Sequence, residues 1–351
     1  MKPAFRLFAL FIFALTITPN AFAQWQPQTS NTTASFRGLC AVSEKVAWAS
    51  GTQGTYIRTV DGGQTWQAGQ VPGAEKLDFR DVEAFDANTA YLLSIGNGDA
   101  SRIYKTTDGG QHWTLQFKNS EPKAFFDALA FWDAQHGLAM SDPVNGRFLI
   151  ITTDDGGATW KPQPSAGMPP ALPNEGGFAA SGTCLLTQGK SNVWLGTGGA
   201  SVARVFHSTD RGRTWTVAET PILAGAAPAG VFGLAFRDDK NGVAVGGNYE
   251  KPALAEKNYA VTNDGGHTWK LIETNKPNGF RSGAVFVRGK RGWQLFAVGP
   301  AGADVAEGDG AFTKLDGENY NAVSFAKGNV KAGWAAGPRG RIAKWAAATG
   351  R

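Results

Sequence analysis

The chain has 351 residues, a formal net charge of +5, 46 glycines and 12 tryptophans. That length holds one large all-β domain or two smaller domains, and so modest a charge argues against general nucleic-acid binding. The glycine content, with no long helical apolar period, favours short strands joined by tight turns, as in a propeller or another barrel-like closure.

At the amino terminus, Lys2 and Arg6 precede an apolar run from Leu7 to Ile17. Ala21-Phe22-Ala23 then supplies a small-x-small cleavage site before Gln24. Residues 1–23 read as a secretory signal peptide, too short for a stable span. Its removal takes Lys2 and Arg6 with it and lowers the formal charge from +5 to +3. No Cys follows the cut, which argues against a lipid anchor, and no later apolar segment is long enough to cross a membrane. The expected product is soluble, periplasmic or secreted, and monomeric.

Residues 24–351 read as a single domain of seven repeats. Copies start near Phe36, Phe79, Phe125, Phe178 and Val231. The second shows the plan: strands over Phe79–Phe85, Thr89–Ile95, Arg102–Thr107 and Trp113–Phe117, each an alternating apolar run bounded by Gly and Asp. Between the third and fourth strands of the first five copies stands the pattern Ser/Thr-x-Asp-x-Gly-x-x-Trp. Its aspartates and tryptophans are Asp61 and Trp66, Asp108 and Trp113, Asp155 and Trp160, Asp210 and Trp215, and Asp264 and Trp269. The aspartates lie 47, 47, 55 and 54 residues apart.

The chemistry of this pattern is that of a turn. The Asp accepts from backbone N–H groups just beyond it, and the Gly takes positive φ without a Cβ penalty. The Ser/Thr hydroxyl adds a local partner. The Trp starts the outgoing strand and buries a large ring whose N–H seeks an acceptor. Five copies of one turn point to a folding unit, not to a catalytic or metal centre built five times.

Two more repeats, Phe280–Gly302 and Tyr320–Trp345, lack the intact turn, and the last stops before a fourth strand. Trp25–Ser30 resembles a fourth strand without a sheet. The expected fold is therefore a seven-bladed, all-β propeller of four-stranded blades, whose first segment completes its last blade and leaves no open edge. The proline-containing stretch Lys161–Gly177 is expected to be an ordered surface loop, not a domain boundary.

The turn is the Asp box, or BNR repeat. With the aromatic-x-x-V-x-F and G-W-A-x-G segments around it, the chain from Trp25 to Trp345 resembles the photosystem II stability/assembly factor family of BNR propellers, in its bacterial, non-photosynthetic form. The resemblance implies a propeller that serves as a binding scaffold or assembly factor. Sialidases share only the turn: they carry Arg-Ile-Pro near the first strand, where this chain has Arg37-Gly38-Leu39.

In such a ring the first strand of each blade lines the central channel, and the Asp boxes fall on the face opposite its start. Arg37, Arg80 and Arg281 each follow a leading Phe and are expected to converge on one mouth, where guanidiniums suit carboxylate or phosphate. Asp81, Asp127 and Glu175 stand nearby. They complete a binding site for a protein segment or an anionic ligand, or else pair with the arginines and knit the channel. SDPVNGR (Ser141–Arg147) and GNYEKPALAEK (Gly247–Lys257) read as long loops on that face, where binding is commonly found.

Enzyme signals are sparse. His112, His136, His207 and His267 show no metal-ligand spacing, and no nucleophile elbow, P-loop or dinucleotide fingerprint occurs. No cofactor or metal is implied and no catalytic residue is assigned. The alternative is a glycan hydrolase using a carboxylate pair such as Asp127 with Glu175. Cys40 and Cys184 fall on the first strands of the first and fourth repeats, nearly across the ring. A disulfide needs Cα atoms within about 7 Å, so both are expected to be unpaired, buried thiols.

Overall fold

The computed structural model describes residues 24–347 except 291 and 309; the signal peptide reading lies outside them. The described residues form seven four-stranded antiparallel sheets. Their inner strands are Phe36–Ala41, Asp78–Ala84, Phe126–Phe131, Leu185–Gln188, Ala229–Phe236, Gly283–Gly289 and Ala322–Phe325. Blade two follows the expected plan to within a residue or two: Asp78–Ala84, Ala90–Ile95, Arg102–Thr106 and Thr114–Lys118.

Closure is by the amino-terminal strand. Gln24–Gln28 pairs antiparallel with Ile342–Ala346 as the outer strand of blade seven. Blade seven is tied to blade one by Asn321 Nδ2 donating to Phe36 O (2.8 Å) and Ala41 N donating to Ser324 Oγ (3.0 Å). The core lies between sheets. Between blades seven and one, Phe36, Ile57 and Trp66 pack with Trp334 and Ile342; between three and four, Leu138, Met140 and Ile150 pack with Val193, Phe206 and Trp215. Alternate residues of each strand serve the two neighbouring interfaces, as the pleat requires.

The five turns share one hydrogen-bond pattern. In blade two, Gly110 N donates to Thr106 Oγ1 (2.9 Å), Thr106 Oγ1 donates to Asp108 Oδ1 (2.9 Å), and Asp108 Oδ1 also accepts from His112 N (2.9 Å). Bonds from the residue four positions on, the hydroxyl and N–H of Thr65 and Thr159, the N–H and ring of His112, and, against burial, the hydroxyl and N–H of Thr268, hold Asp61, Asp155, Asp108 and Asp264 down to about 2. Arg211, at φ 62°, replaces the first glycine of the fourth turn. The tryptophans depart from expectation in two ways. The outer strands begin one residue after them, and the indole N–H groups of Trp113 and Trp160 are buried without an acceptor. Thr106 is buried, so Thr106→Val should leave the Gly110 N–H unmet and cost about 1–3 kcal/mol in a denaturant titration.

The turns dock on the loop joining the first two strands of the same blade: Gly109 N donates to Asn88 O, and Gly156 N to Gln135 O. In blade two, Asp78 pairs with Ile95 and Ser94 with Arg102 at one sheet end; Ala84 pairs with Ala90 and Ala90 with Thr106 at the other. Arg80 and Asp108 therefore lie at opposite ends of one sheet, as the repeat geometry requires.

Candidate functional site

The inner strands open toward the arginine-bearing face, and Arg37 and Arg80 leave neighbouring strands there. Arg80 Nε pairs with Asp78 at 2.8 Å, and its Nη1 donates to Ala179 O at 3.2 Å. Arg37 Nη1 donates to Ala180 O at 3.3 Å. Burial and the adjacent Arg80 guanidinium pull Arg37 down to about 10, with Asp78 opposing them. Two of the three predicted arginines thus converge on the mouth, where each donates to a main-chain carbonyl of this same chain and Arg80 is also paired with Asp78.

Arg281 is a correction. It is fully buried and bonds Asp304, equally buried on the third strand of blade six, through Nε and Nη2, while its Nη1 donates to Phe280 O (2.8 Å). It ties blade six together and presents no group to the mouth.

The carboxylates also pair differently from the expected knitting. Glu175 is saturated by Arg204, Thr197 Oγ1 (2.6 Å) and Leu172 N (2.8 Å). That removes it as the acid partner of Asp127. Asp81 is buried and accepts from Val82 N (2.9 Å) and Leu129 N (2.8 Å). Burial pushes Asp81 up to about 7.

Asp127 is buried, its Oδ2 unpartnered, and its acid neighbour is Asp142. Burial first, then the Asp142 carboxyl, drives Asp127 well above the carboxylate range, and burial lifts Asp142 to about 6. Both pack against Gly176–Gly177: Gly177 N donates to Asp142 Oδ1 (2.8 Å), and a Cβ on Gly177 would stand 3.1 Å from Asp127 Oδ2. Nothing near them in sequence marks Arg204 as an ion-pair partner or Asp142 as a buried acid, because their partners lie 15 to 35 residues away on other elements.

A carboxyl raised in the folded state holds its proton while the unfolded chain loses it. Stability from Asp81 is therefore complete below about pH 4 and declines as pH rises to about 7. Asp81→Asn should flatten this part of the slope in urea midpoints measured from pH 4 to 8.

The loops of this face are more ordered than their sequences suggest. SDPVNGR is the tip of a hairpin between Gly137–Val144 and Arg147–Thr153, turning at Asn145-Gly146. Lys161–Pro162 is a short outer strand. The proline-containing segment after it straps blades three and four, with Ala171 N on Gly146 O, Trp215 N on Gly167 O, and Arg204 Nη2 on Pro170 O. Hairpin and strap enclose an open groove of about 580 Å³, lined by Asp142, Pro143, Leu172 and Pro173 among others.

Blade four holds a second correction. Tyr91 and Trp194 occupy equivalent places, each donating from its ring to the turn glycine carbonyl of the next blade (Tyr91 Oη to Gly156 O, 2.6 Å; Trp194 Nε1 to Gly265 O, 2.7 Å). Phe79 stands 12 residues before Tyr91, and Phe36 likewise 12 before Trp48, whereas Phe178 stands 16 before Trp194. The strand therefore begins at Leu185, Gly182 takes the leading aromatic's place, and Phe178–Ser181 are four extra residues. Cys184 precedes the strand. Cys40 and Cys184 are unpaired; Cys184 is buried and Cys40 half-buried, and burial raises both thiols. Among the described residues no group of three or more His, Cys, Asp or Glu could hold a metal ion.

No protein-family profile matches the sequence, and no curated protein does. Solved structures do match. The chain is similar to YCF48 bound to a D1 peptide, with TM-score 0.63 and 17% identity over 93% of this chain and 97% of that one. YCF48 from Cyanidioschyzon merolae matches at 0.63 and 14%, over 92% and 99%. The GH74 xyloglucanase from Xanthomonas campestris matches at 0.56 and 12%, over 91% of this chain and 53% of that one. At these identities the likeness establishes the seven-bladed fold, in agreement with the resemblance read from the repeats.

Proposed function

We propose that the chain is an exported, non-catalytic propeller that captures an acidic segment of another protein at the mouth bearing Arg37 and Arg80. The observation that carries this reading is the convergence of two guanidiniums from adjacent blades on one point, where each donates to a main-chain carbonyl (3.3 and 3.2 Å). A carboxylate offers a guanidinium the attraction of a full opposite charge and a bidentate geometry, neither of which a neutral carbonyl supplies. A partner carboxylate therefore outcompetes a carbonyl. The YCF48 structure that this chain resembles holds a D1 peptide, which supports peptide capture as the mode for this scaffold. Affinity capture from the periplasmic extract of the host tests it. Arg37→Ala with Arg80→Ala should reduce the captured partner about tenfold or more, as loss of charge-assisted bonds requires; undiminished capture sinks the reading.

A glycan hydrolase is the second reading. Its support is the Asp127–Asp142 acid pair beside the groove, together with the fold shared with GH74 propellers. Under it, Asp142→Asn abolishes release of reducing sugar from an oligosaccharide panel. Under the first reading the unaltered protein releases none.

A further inference from the structure

The four extra residues of blade four are gripped from around the ring. Arg37 of blade one donates to Ala180 O and Arg80 of blade two to Ala179 O. Ser181 Oγ donates to Ser282 O (2.7 Å), at the entrance to blade six. Phe178 stacks on Phe232 of blade five at 3.7 Å and 16°, and Phe232 meets Phe280 edge-on at 4.6 Å. A segment of blade four touched by blades one, two, five and six lies over the channel axis, since no other point is within reach of all of them. It is a plug.

The plug is pinned at its exit. Gly182 has φ 77°, and a Cβ there would lie 2.4 Å from Asp81 Oδ1. Its grip on the arginines is nonetheless weak: both bonds are neutral-acceptor contacts at the long end of the hydrogen-bond range. Phe178 is only half-buried, and Tyr249, exposed at the rim, flanks Phe232 at 6.0 Å. The mouth thus offers an aromatic slot on one side and two guanidiniums on the other, and the chain fills both with an aromatic residue followed at once by acceptor groups.

We propose that Phe178–Ser181 is an internal occupant of the partner's site, and that the partner segment displaces it by laying an aromatic side chain on Phe232 and carboxylates on Arg37 and Arg80. This rests on the reading of the mouth as the capture site, and it specifies both the partner, an aromatic residue followed directly by acidic residues, and the regulation. A tethered competitor is present at an effective concentration on the order of millimolar. Only the fraction of molecules with the plug out is competent, and the apparent affinity is reduced by that fraction. A neutral segment does not outcompete the plug, whereas an acidic one does.

Two fluorescent peptides test this: one copying residues 177–182, and one identical but for Ala179→Asp and Ala180→Asp. Their binding is measured by anisotropy to the mature chain and to a variant lacking residues 178–181, with folding verified by circular dichroism. The plugless chain should bind the acidic peptide at least about tenfold more tightly than the mature chain does, and Phe232→Ala in the plugless chain should remove most of that gain. Equal affinity for both chains, or no binding by a folded plugless chain, overturns the proposal. If the deletion does not fold, Phe178→Ala in the mature chain carries the same comparison: tighter binding of the acidic peptide supports the plug and unchanged affinity overturns it. Arg37- and Arg80-dependent capture of the native partner with no gain on plug removal defeats the plug alone. Acidic-peptide binding that survives loss of both arginines defeats the capture reading itself.

Discussion

Asp304→Ala is expected to lower the free energy of unfolding by about 3–5 kcal/mol, the cost of stranding one partner of a buried ion pair. The Arg281 guanidinium is fully buried and bonded to Asp304 through Nε and Nη2. Asp304 also accepts from Asn278 N (3.2 Å) and Asn278 Nδ2 (3.0 Å), so it anchors the linker that enters blade six. Removing the carboxylate leaves a charge in the protein interior and frees that linker. The pair is a positioning device more than a source of stability, because desolvation offsets most of its Coulombic gain. Arg281→Met combined with Asp304→Leu should therefore recover most of the lost stability. Chemical denaturation of the single and double variants checks both statements; a single variant within about 1 kcal/mol of the parent contradicts the burial argument.

Trp25→Ala is expected to cost about 3–5 kcal/mol, in the range for emptying a large aromatic site in a core. Trp25 is 6% exposed. Its ring lies 5.2 Å from Trp345 and 6.0 to 6.1 Å from Phe296, Tyr320 and Phe325. It is also the main apolar anchor of the strand that closes the ring. Deleting residues 24–28 goes further, because it exposes the edge of Ile342–Ala346, and an unpaired flat edge recruits other chains. The deletion should fold less stably and associate on size-exclusion chromatography, while Trp25→Ala stays monomeric at low temperature. A deletion variant as stable as the parent would mean that the closure contributes nothing.

The fold was legible because its signals are local and repeated. Thr106, Asp108 and Gly110 bond within five residues of one another, so spacing alone identifies the turn. Counting strands exposed the gap that Gln24–Gln28 fills. The candidate site was only partly legible, because its partners are set by the ring. Arg281 shares the Phe-Arg pattern of Arg37 and Arg80, yet an aspartate 23 residues later draws it into blade six, and nothing near Arg281 in sequence announces that. Glu175 reads as a rim acid until Arg204 crosses from the third strand of blade four to saturate it. The plug did leave a trace, since 16 residues separate Phe178 from Trp194 where 12 separate their counterparts. Phe178 hid it by imitating the leading aromatic that Gly182 replaces.

The most direct measurement of where this propeller works is hydrogen–deuterium exchange on the mature protein with and without its captured partner. Protection is expected at residues 36–38, 79–82 and 231–233, on the mouth face, with faster exchange at 178–181 as the plug is displaced and exchange at the turns around Asp61, Asp108, Asp155, Asp210 and Asp264 unchanged. Protection concentrated at those turns, with the mouth unaffected, would contradict the account.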